Sequence, residues 1–368
     1  MSNKKIRVAI THGDTNSINY EVLFKAFSEQ AMTELFTPII YGSPKIVAYY
    51  RNVLNTPTSF VTINKAEDAY EGKVNLLTAF DEEIKVEVGK ATADSSKAAW
   101  KALTRAMNDY KKGLFDVLIT LPVNTDTTLN EKYPYNSQSA FITSQLKEKT
   151  EPMTMLINEQ LRIALATNQM PIKEVSAAIT KEKLEERISL LWLSLKRDFL
   201  LSNPRIAVLA LNPEGSKKEG EETTVILPAI QKMAEQGKQV FGPYPAETFF
   251  GKKLFNAFDG ILAMYHDQGW GPFNTIDTGE GVRYLAGLPF VCTAPLQGPE
   301  YDIAGKDMAD PMSFRHAIYQ AIDIYRHRCD YDEATRNPLP KLYHEKKDDS
   351  EKVRFAIPKS KHEQKTEE

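Results

Sequence analysis

The sequence Ile261-Leu-Ala-Met-Tyr-His-Asp-Gln-Gly-Trp-Gly-Pro-Phe273 joins a short apolar run to a polar segment. Residues 261–265 are apolar, which predicts a buried strand. His266 and Asp267 follow directly, and the glycines and proline after them predict a loop. In α/β proteins, sites form where strands deliver such side chains at their carboxyl ends. The stretch therefore favours a site containing His266 and Asp267; the alternative is a solvated loop in which the histidine is structural.

The chain before this stretch alternates between strand and helix patterns. A strand is predicted over residues 6–10, a helix over 21–36, a strand over 37–41 and a helix from Ser43-Pro44, because Pro is favoured in a first helical turn. This alternation is typical of a doubly wound α/β layer. Further helices are predicted over 95–111, 140–146, 181–201, 221–236 and 311–327, and further strands over 116–120, 153–158, 161–166 and 205–211.

Composition excludes several classes of protein. The chain has 368 residues, 42% of them hydrophobic and 26% charged, with a net charge of −3. No basic field indicates nucleic acid or an anionic membrane, and no apolar run reaches membrane-spanning length. With only two cysteines, a disulfide framework and a cysteine-based metal site are excluded. The amino terminus does not resemble a signal peptide, so we expect a soluble, cytoplasmic protein.

Six short blocks stand in a specific order and spacing across residues 5 to 330. They are Gly13-Asp14, Leu211-Asn-Pro213, Gly242-Pro243, Ala263-Met-Tyr-His-Asp-Gln-Gly269, Gly287-Leu-Pro-Phe290 and Asp302-Ile-Ala-Gly-Lys306. Each block alone is a weak signal, and the order of all six is specific. By these blocks the sequence resembles the 4-hydroxythreonine-4-phosphate dehydrogenase (PdxA) family of vitamin B6 biosynthesis.

The resemblance implies a two-domain α/β fold, similar to isocitrate and isopropylmalate dehydrogenases, with a central cleft. It implies a first domain over residues 1–127 plus about 290–330, and a second over 128–289 that carries the dimer interface and the metal positions. Residues 331–368 are predicted to be a charged, flexible tail. The family is a homodimer that oxidises a phosphorylated hydroxy acid with NAD, assisted by a divalent metal, and the product then decarboxylates.

The metal positions implied by the resemblance are altered. The family holds its metal with three histidines, and His266 matches the third. The positions of the other two are occupied by Gln169 and Glu214. A Gln, Glu and His set is poorer in nitrogen, so Mg or Mn becomes as plausible as Zn. The alternative is that no metal binds.

The substrate positions implied by the resemblance are altered as well. A phosphorylated substrate needs cations and directed donors. Two family cations are lost at Asn274 and Cys292, and one is gained at Arg283. The full set of matched substrate positions is Gln138, Ser139, Asn274, Arg283 and Cys292, and the matched cofactor positions for NAD are Asp302, Ile303, Ala304 and Gly305.

The loop after the first strand departs from the family pattern too. Ser17 and Asn19 stand where the family has glycines. A backbone that needed positive φ or a close ligand approach there would be strained or blocked.

These substitutions fall on polar groups that would do chemistry, whereas the packing framework resembles the family throughout. The sequence therefore predicts a relative of the dehydrogenase with impaired or altered catalysis. One alternative is an active dehydrogenase with a changed metal or substrate. The other is a non-catalytic dimeric partner or regulator of a true homologue.

Overall fold

The computed structural model describes residues 5–124, 135–146, 151–213 and 220–338. The described residues up to Tyr331 form one compact unit. The strands are β1 (Arg7–Thr11), β2 (Thr37–Gly42), β3 (Val61–Ile63), β4 (Asn75–Thr78), β5 (Val117–Thr120), β6 (Met153–Ile157), β7 (Arg162–Leu165), β8 (Arg205–Leu209), β9 (Gln239–Tyr244), β10 (Gly260–Ala263), β11 (Val282–Ala286) and β12 (Val291–Pro295). The helices are α1 (Asn19–Ala26), α2 (Met32–Leu35), α3 (Pro44–Val53), α4 (Ala93–Tyr110), α5 (Gln138–Gln145), α6 (Ile172–Ala178), α7 (Lys181–Arg197), α8 (Leu227–Glu235), α9 (Ala246–Gly251), α10 (His266–Ile276) and α11 (Met312–Thr335).

In the described ranges the strands form one sheet in the order β3-β4-β2-β1-β5-β12-β11-β6-β7-β10-β8-β9. The strands before residue 121, together with β12, make up one half, and the remaining strands make up the other. The predicted α/β architecture is confirmed. The boundary between the two predicted domains stays a prediction, and the predicted tail lies outside the described residues from 339 onward.

The β11–β12 hairpin joins the two halves of the sheet. β12 pairs in parallel with β5, whereas β11 pairs antiparallel with both β12 and β6. Gly287 follows β11 at a φ of +89°, a conformation that glycine adopts without steric cost. In this register Arg283 lies opposite Ala294 on one side and Leu156 on the other.

Successive residues of the central strands pack into separate layers on the two faces of the sheet. In β1, Val8 and Ile10 join one buried cluster, and Ala9 joins the other together with Trp100 of α4. Strands buried on both faces are typical of parallel sheets covered by helices. Burying a large apolar side chain contributes about 1.5–3 kcal/mol, so these layers provide most of the stability of the fold.

The predicted helix over residues 21–36 is wrong. α1 ends at Ala26, and the short helix α2 begins only at Met32. The Ser28 hydroxyl donates to the carbonyl of Lys25 at 2.8 Å, which gives the last turn of α1 a side-chain partner. Serine competes with helix continuation in this way, and the apolar spacing of the segment did not reveal it.

The loop predicted after residue 265 is also wrong, because α10 begins at His266 and contains Pro272. Gln268 stabilises the transition from strand to helix: its carbonyl oxygen accepts from Met264 N and its amide donates to Ala210 O, both at 2.7 Å. A Cβ on Gly269 would lie 2.7 Å from a methyl group of Leu165. The glycine is therefore required for close packing against β7.

Two other helices differ from their predicted bounds. The predicted helix over residues 221–236 begins as a π-helical turn, Glu222–Ile226, and continues as α8, which has Pro228 in its first turn. The last helix, predicted to end at residue 327, extends to Thr335. None of the described helices combines the length and the hydropathy that a membrane crossing requires.

A buried polar network ties α7, β11 and α11 together. The Arg328 guanidinium donates to Asp198 Oδ1 and to the Tyr284 hydroxyl, both at 2.7 Å. That hydroxyl donates to Asp198 Oδ2 at 2.6 Å. Burial, followed by the Asp198 carboxylate, raises the pKa of Tyr284 well above its usual range, so the phenol remains a donor. The charges of Arg328 and Asp198 compensate one another inside the protein.

We expect Asp198→Ala to lower the free energy of unfolding by about 3–5 kcal/mol, because it leaves the Arg328 charge buried without its partner. Urea denaturation measures the difference. The control is Asp323→Ala, which removes the exposed partner of Arg326 and should cost less than about 1 kcal/mol. A similar decrease in the free energy of unfolding in both variants would contradict the stabilising role of the buried pair.

His12 follows β1 and is fully buried, with its ring 5.6 Å from that of Tyr20 and 5.9 Å from that of Phe80. Burial disfavours the charged ring and lowers the pKa of His12 from 6.5 to about 4. Below pH 6.5 the unfolded chain therefore binds a proton that the folded chain does not bind. This contribution to stability is complete above pH 6.5 and is lost as the pH falls toward 4.

We expect the free energy of unfolding to lose up to roughly 3 kcal/mol between pH 6.5 and 4 through His12 alone. Carboxylates titrate in the same range, so the measurement compares wild type with His12→Phe by urea denaturation at each pH. The variant should lose less stability on acidification. Parallel curves for the two proteins would show that His12 does not contribute.

Candidate active site

Two adjoining cavities lie over the central hairpin, with volumes of about 280 and 520 Å³. We call them the first and the second cavity. The first lies along β12 and the second extends toward α10. Because both are bordered by the same group of residues, they form one cleft. The shared residues are Asn136, Ser137, Ser139, Thr154, Gln169, Trp270 and Arg283.

Six of the predicted site positions line this cleft, and Asp267 and the four cofactor positions do not. Gln138 and Cys292 border the first cavity, His266 borders the second, and Ser139, Gln169 and Arg283 border both. Asn274 is exposed on α10 and is not among the lining residues of either cavity. Glu214 lies outside the described residues, so its predicted role stays untested.

His266 is the first residue of α10 and has two close neighbours. Its Nδ1 lies 2.7 Å from Asp267 Oδ1, and its ring stacks on Trp270 with centroids 5.3 Å apart. The Asp267 side chain is 88% exposed, so this contact is made at the surface. Nε2 is the ring nitrogen not engaged by Asp267.

The described residues do not fit the three-histidine metal site that the resemblance implied. They contain no group of three His, Cys, Asp or Glu side chains that could hold a metal ion. Gln169 lines the same cavity as His266, but an amide oxygen is a weak ligand for a transition metal. His266 already shares its Nδ1 with Asp267.

Arg283 and Cys292 lie on the same face of the central hairpin. Arg283 is paired with Ala294, two residues from Cys292, so the side chains project to one side. Burial lowers the pKa of Arg283 and raises that of Cys292 to about 12, with Arg283 opposing the second shift. The thiol is therefore neutral and does not balance the guanidinium charge. A thiol with this pKa is also a poor nucleophile at neutral pH.

The start of α5 borders the first cavity and is held in place from two sides. Phe141 packs against Trp100 of α4 with ring centroids 5.4 Å apart. The Gln138 amide donates to Leu121 O at 3.0 Å, which ties α5 to the end of β5. Ser137 caps the helix by accepting from Ala140 N, and its hydroxyl lies 3.0 Å from that of Ser139. Gln138 therefore stabilises the position of α5 and also lines the first cavity.

The predicted strain in the loop after β1 is wrong. Neither Ser17 nor Asn19 has a positive φ among the described residues. The Asn19 amide donates to Pro122 O at 2.9 Å and would lie only 2.2 Å from a Cβ on Gly13. Asn16 ties this loop to the segment before α4, because its amide donates to Lys90 O and Thr92 Oγ1 and accepts from Glu87 N.

The predicted cofactor positions lie in the turns before α11. Asp302 is exposed and Ala304 is buried. Gly305 has a φ of +72°, and a Cβ there would lie 2.8 Å from Val88. The neighbouring Tyr301 hydroxyl donates to Asp14 at 3.0 Å, which connects this turn to the loop after β1. Contact with NAD at these positions stays a prediction.

Thr154 is a lining residue that the sequence did not single out. It is paired with Leu285 of β11 and shares the face of the sheet that carries Arg283. The sequence did contain a signal for this residue, since Thr154 is the polar residue within the apolar run of β6. Its partner strand could not be identified from the sequence.

Comparisons with known proteins identify the family of this chain. Residues 34–321 match the family described as pyridoxal phosphate biosynthetic protein PdxA. A 4-hydroxythreonine-4-phosphate dehydrogenase of Bacteroides thetaiotaomicron is 43% identical, over 94% of this chain and 96% of the relative. One from Sulfurihydrogenibium is 32% identical, over 88% and 99% respectively.

A solved structure agrees as well. The crystal structure of a 4-hydroxythreonine-4-phosphate dehydrogenase from Burkholderia phymatum is 26% identical, covers 88% of this chain and 99% of its own, and superposes with a TM-score of 0.70. The family match, the sequence identities and the structural similarity each cover most of the chain. The chain belongs to the PdxA family of pyridoxal phosphate biosynthetic proteins.

Proposed function

We propose that the cleft binds a phosphorylated hydroxy acid and that its oxidation by NAD is impaired or altered relative to family members with three metal-binding histidines. The substrate class comes from the names of the relatives, 4-hydroxythreonine-4-phosphate dehydrogenases. The altered chemistry comes from the site itself. The observation that carries the proposal is Gln169, which lines the same cavity as His266 in place of an imidazole.

The described residues can still orient and deprotonate a hydroxy acid. Arg283 supplies a cation, and Ser139 and Thr154 supply hydroxyl groups that can hydrogen-bond a ligand in the cleft. With its Nδ1 proton directed to Asp267, His266 has Nε2 available to accept the proton of a substrate hydroxyl. His266 is thus the proposed base and Asp267 its positioning partner.

NAD, when bound, would accept the hydride from the substrate carbon. We assign its contacts to the turn that contains Asp302 to Gly305. The exposed Asp302 carboxylate can accept hydrogen bonds from ribose hydroxyls, and the positive φ of Gly305 allows the backbone to turn tightly there.

A second candidate is an active dehydrogenase with a changed metal or substrate. It is favoured by the 43% identical relative, which carries the dehydrogenase name and aligns over nearly the whole chain. Oxygen-rich ligands would shift the metal preference toward Mg or Mn.

We expect purified protein to reduce NAD with 4-phosphooxy-L-threonine on the order of 100- to 1000-fold more slowly than a family member with three histidines, because two of the imidazoles that would hold a charge-stabilising metal are replaced. The assay is run with EDTA and with Mg, Mn, Zn or Co added. Ordinary turnover with Mg or Mn alone would favour the second candidate. Ordinary turnover under every condition would contradict impairment.

We expect Gln169→His combined with Glu214→His to bind one Zn or Co ion per chain by elemental analysis, because three imidazoles suit a transition metal. Turnover with added metal should rise at least about tenfold, within the range that metal catalysis supplies. The matched control is Gln169→Ala with Glu214→Ala. If the histidine variant binds metal without gaining activity, the substrate and cofactor positions also limit the reaction.

A further inference from the structure

The Arg283 guanidinium lies where the two cavities meet, and it borders both of them. In the described ranges its side chain has no carboxylate within ion-pairing distance, and the titratable group that acts on it is the thiol of Cys292. That thiol is neutral because burial raises its pKa to about 12. The cation therefore faces the cleft without a counter-charge from these residues.

The surroundings of Arg283 make an unpaired cation costly. Its side chain is half-buried, and on the same face of the sheet lie Leu285, Cys292 and Ala294, which are buried. A charge in such surroundings loses hydration and is stabilised by an opposite charge that enters the cavity. Arginine keeps its proton under these conditions, so the site cannot become neutral by titration.

The carboxylate that lines the second cavity is already engaged elsewhere. Glu151 Oε2 lies 2.5 Å from Nη2 of the buried Arg187 and also pairs with Lys183. Its other oxygen accepts from Asn168. With these partners, Glu151 is held toward α7 and is not ion-paired with Arg283.

Hydroxyl groups surround the same space. Ser137, Ser139 and Thr154 border both cavities together with Arg283. The first two lie at the start of α5, where unpaired backbone N–H groups and the helix dipole also favour an anion. Guanidinium and hydroxyl groups that converge in one cleft match the acceptor oxygens of a phosphate or a carboxylate.

We propose that Arg283 binds an oxyanion of the ligand directly, so that ligand binding in this cleft requires no divalent metal. The ligand class is a small molecule that carries a phosphate or carboxylate group. This inference rests on the proposed function and deepens it, because it assigns the charge that holds the substrate to a side chain that this protein supplies itself. Arg283 is a binding residue in this account.

The test is isothermal titration calorimetry on the full chain in EDTA, with 4-phosphooxy-L-threonine, inorganic phosphate and L-threonine as separate probes. We expect 4-phosphooxy-L-threonine to bind wild type without metal. Arg283→Gln should weaken that binding by roughly 10- to 150-fold, the range for a lost charged hydrogen bond. The affinity of Arg283→Lys should lie between those of wild type and Arg283→Gln, because lysine keeps the charge and loses the bidentate geometry.

The matched control is Arg162→Gln. Arg162 is another half-buried arginine, on β7, and it packs over the Phe199 ring at 4.8 Å without lining either cavity. Its replacement should leave the affinity of every probe unchanged. Thermal unfolding verifies that each variant is folded, and if Arg283→Gln does not fold, the comparison of wild type with Arg283→Lys decides.

The three probes separate the outcomes. If Arg283→Gln binds inorganic phosphate more weakly than wild type does, the phosphate group is the partner of Arg283. If only the affinity for L-threonine falls, the partner is the carboxylate. Both results support the proposal. Unchanged affinity of Arg283→Gln for all probes would overturn it, as would binding that occurs only with added metal. If inorganic phosphate binds through Arg283 but 4-phosphooxy-L-threonine does not bind, the proposed function is contradicted, whereas the role of Arg283 in binding an oxyanion is supported.

Discussion

Hydrogen bonding across the centre of the sheet is the constraint on which the site depends. β12 is bonded to β5 of one half and to β11, and β11 is bonded to β6 of the other half. A shift of one residue in this hairpin would move Arg283 and Cys292 to the opposite face of the sheet. Gly287, at positive φ in the connection, and the antiparallel register together fix which side chains face the cleft.

The proposed function implies a cleft whose chemistry differs from that of the family while the fold is kept. In that proposal Gln169, in place of an imidazole, weakens metal binding, and Arg283 adds a fixed positive charge. A metal and a guanidinium both attract oxyanions, but only the metal can lower the pKa of a bound hydroxyl by coordinating it. Affinity for an anion and the rate of oxidation can therefore diverge in this protein.

The sequence was sufficient for the architecture and for six of the positions that line the cleft. Apolar runs located β1, β2 and β5, and the apolar segments on either side of Asn158 located β6 and β7, which pair antiparallel. Prediction from the sequence failed where groups distant in the chain determine the local structure. Glycine and proline after His266 predicted a loop, yet Gln268 bonds to Ala210 and α10 forms.

The site was only partly predictable for the same reason. Cys292 and Arg283 are nine positions apart in the chain, and only the strand register shows that they share a face. Thr154 joins them through a third strand. The strain expected in the loop after β1 does not arise, because neither Ser17 nor Asn19 has a positive φ; the hydrogen bond that holds Asn19 reaches Pro122, more than a hundred residues away. Contacts of this range depend on topology, which a single sequence specifies only indirectly.

The packing around Gly13 also determines which substitutions the loop after β1 can tolerate. The Asn19 amide occupies the space that a side chain at position 13 would need, and the carbonyl oxygen of Pro122 would lie 2.5 Å from a Cβ there. Position 13 is therefore restricted to glycine whichever residue occupies position 19. Replacing Asn19 with glycine would remove one of the two donors to Pro122 O and leave Asp14 N as the other, at a cost of about 0.5–1.5 kcal/mol. Mutational tolerance is thus very unequal between two residues that share one small space.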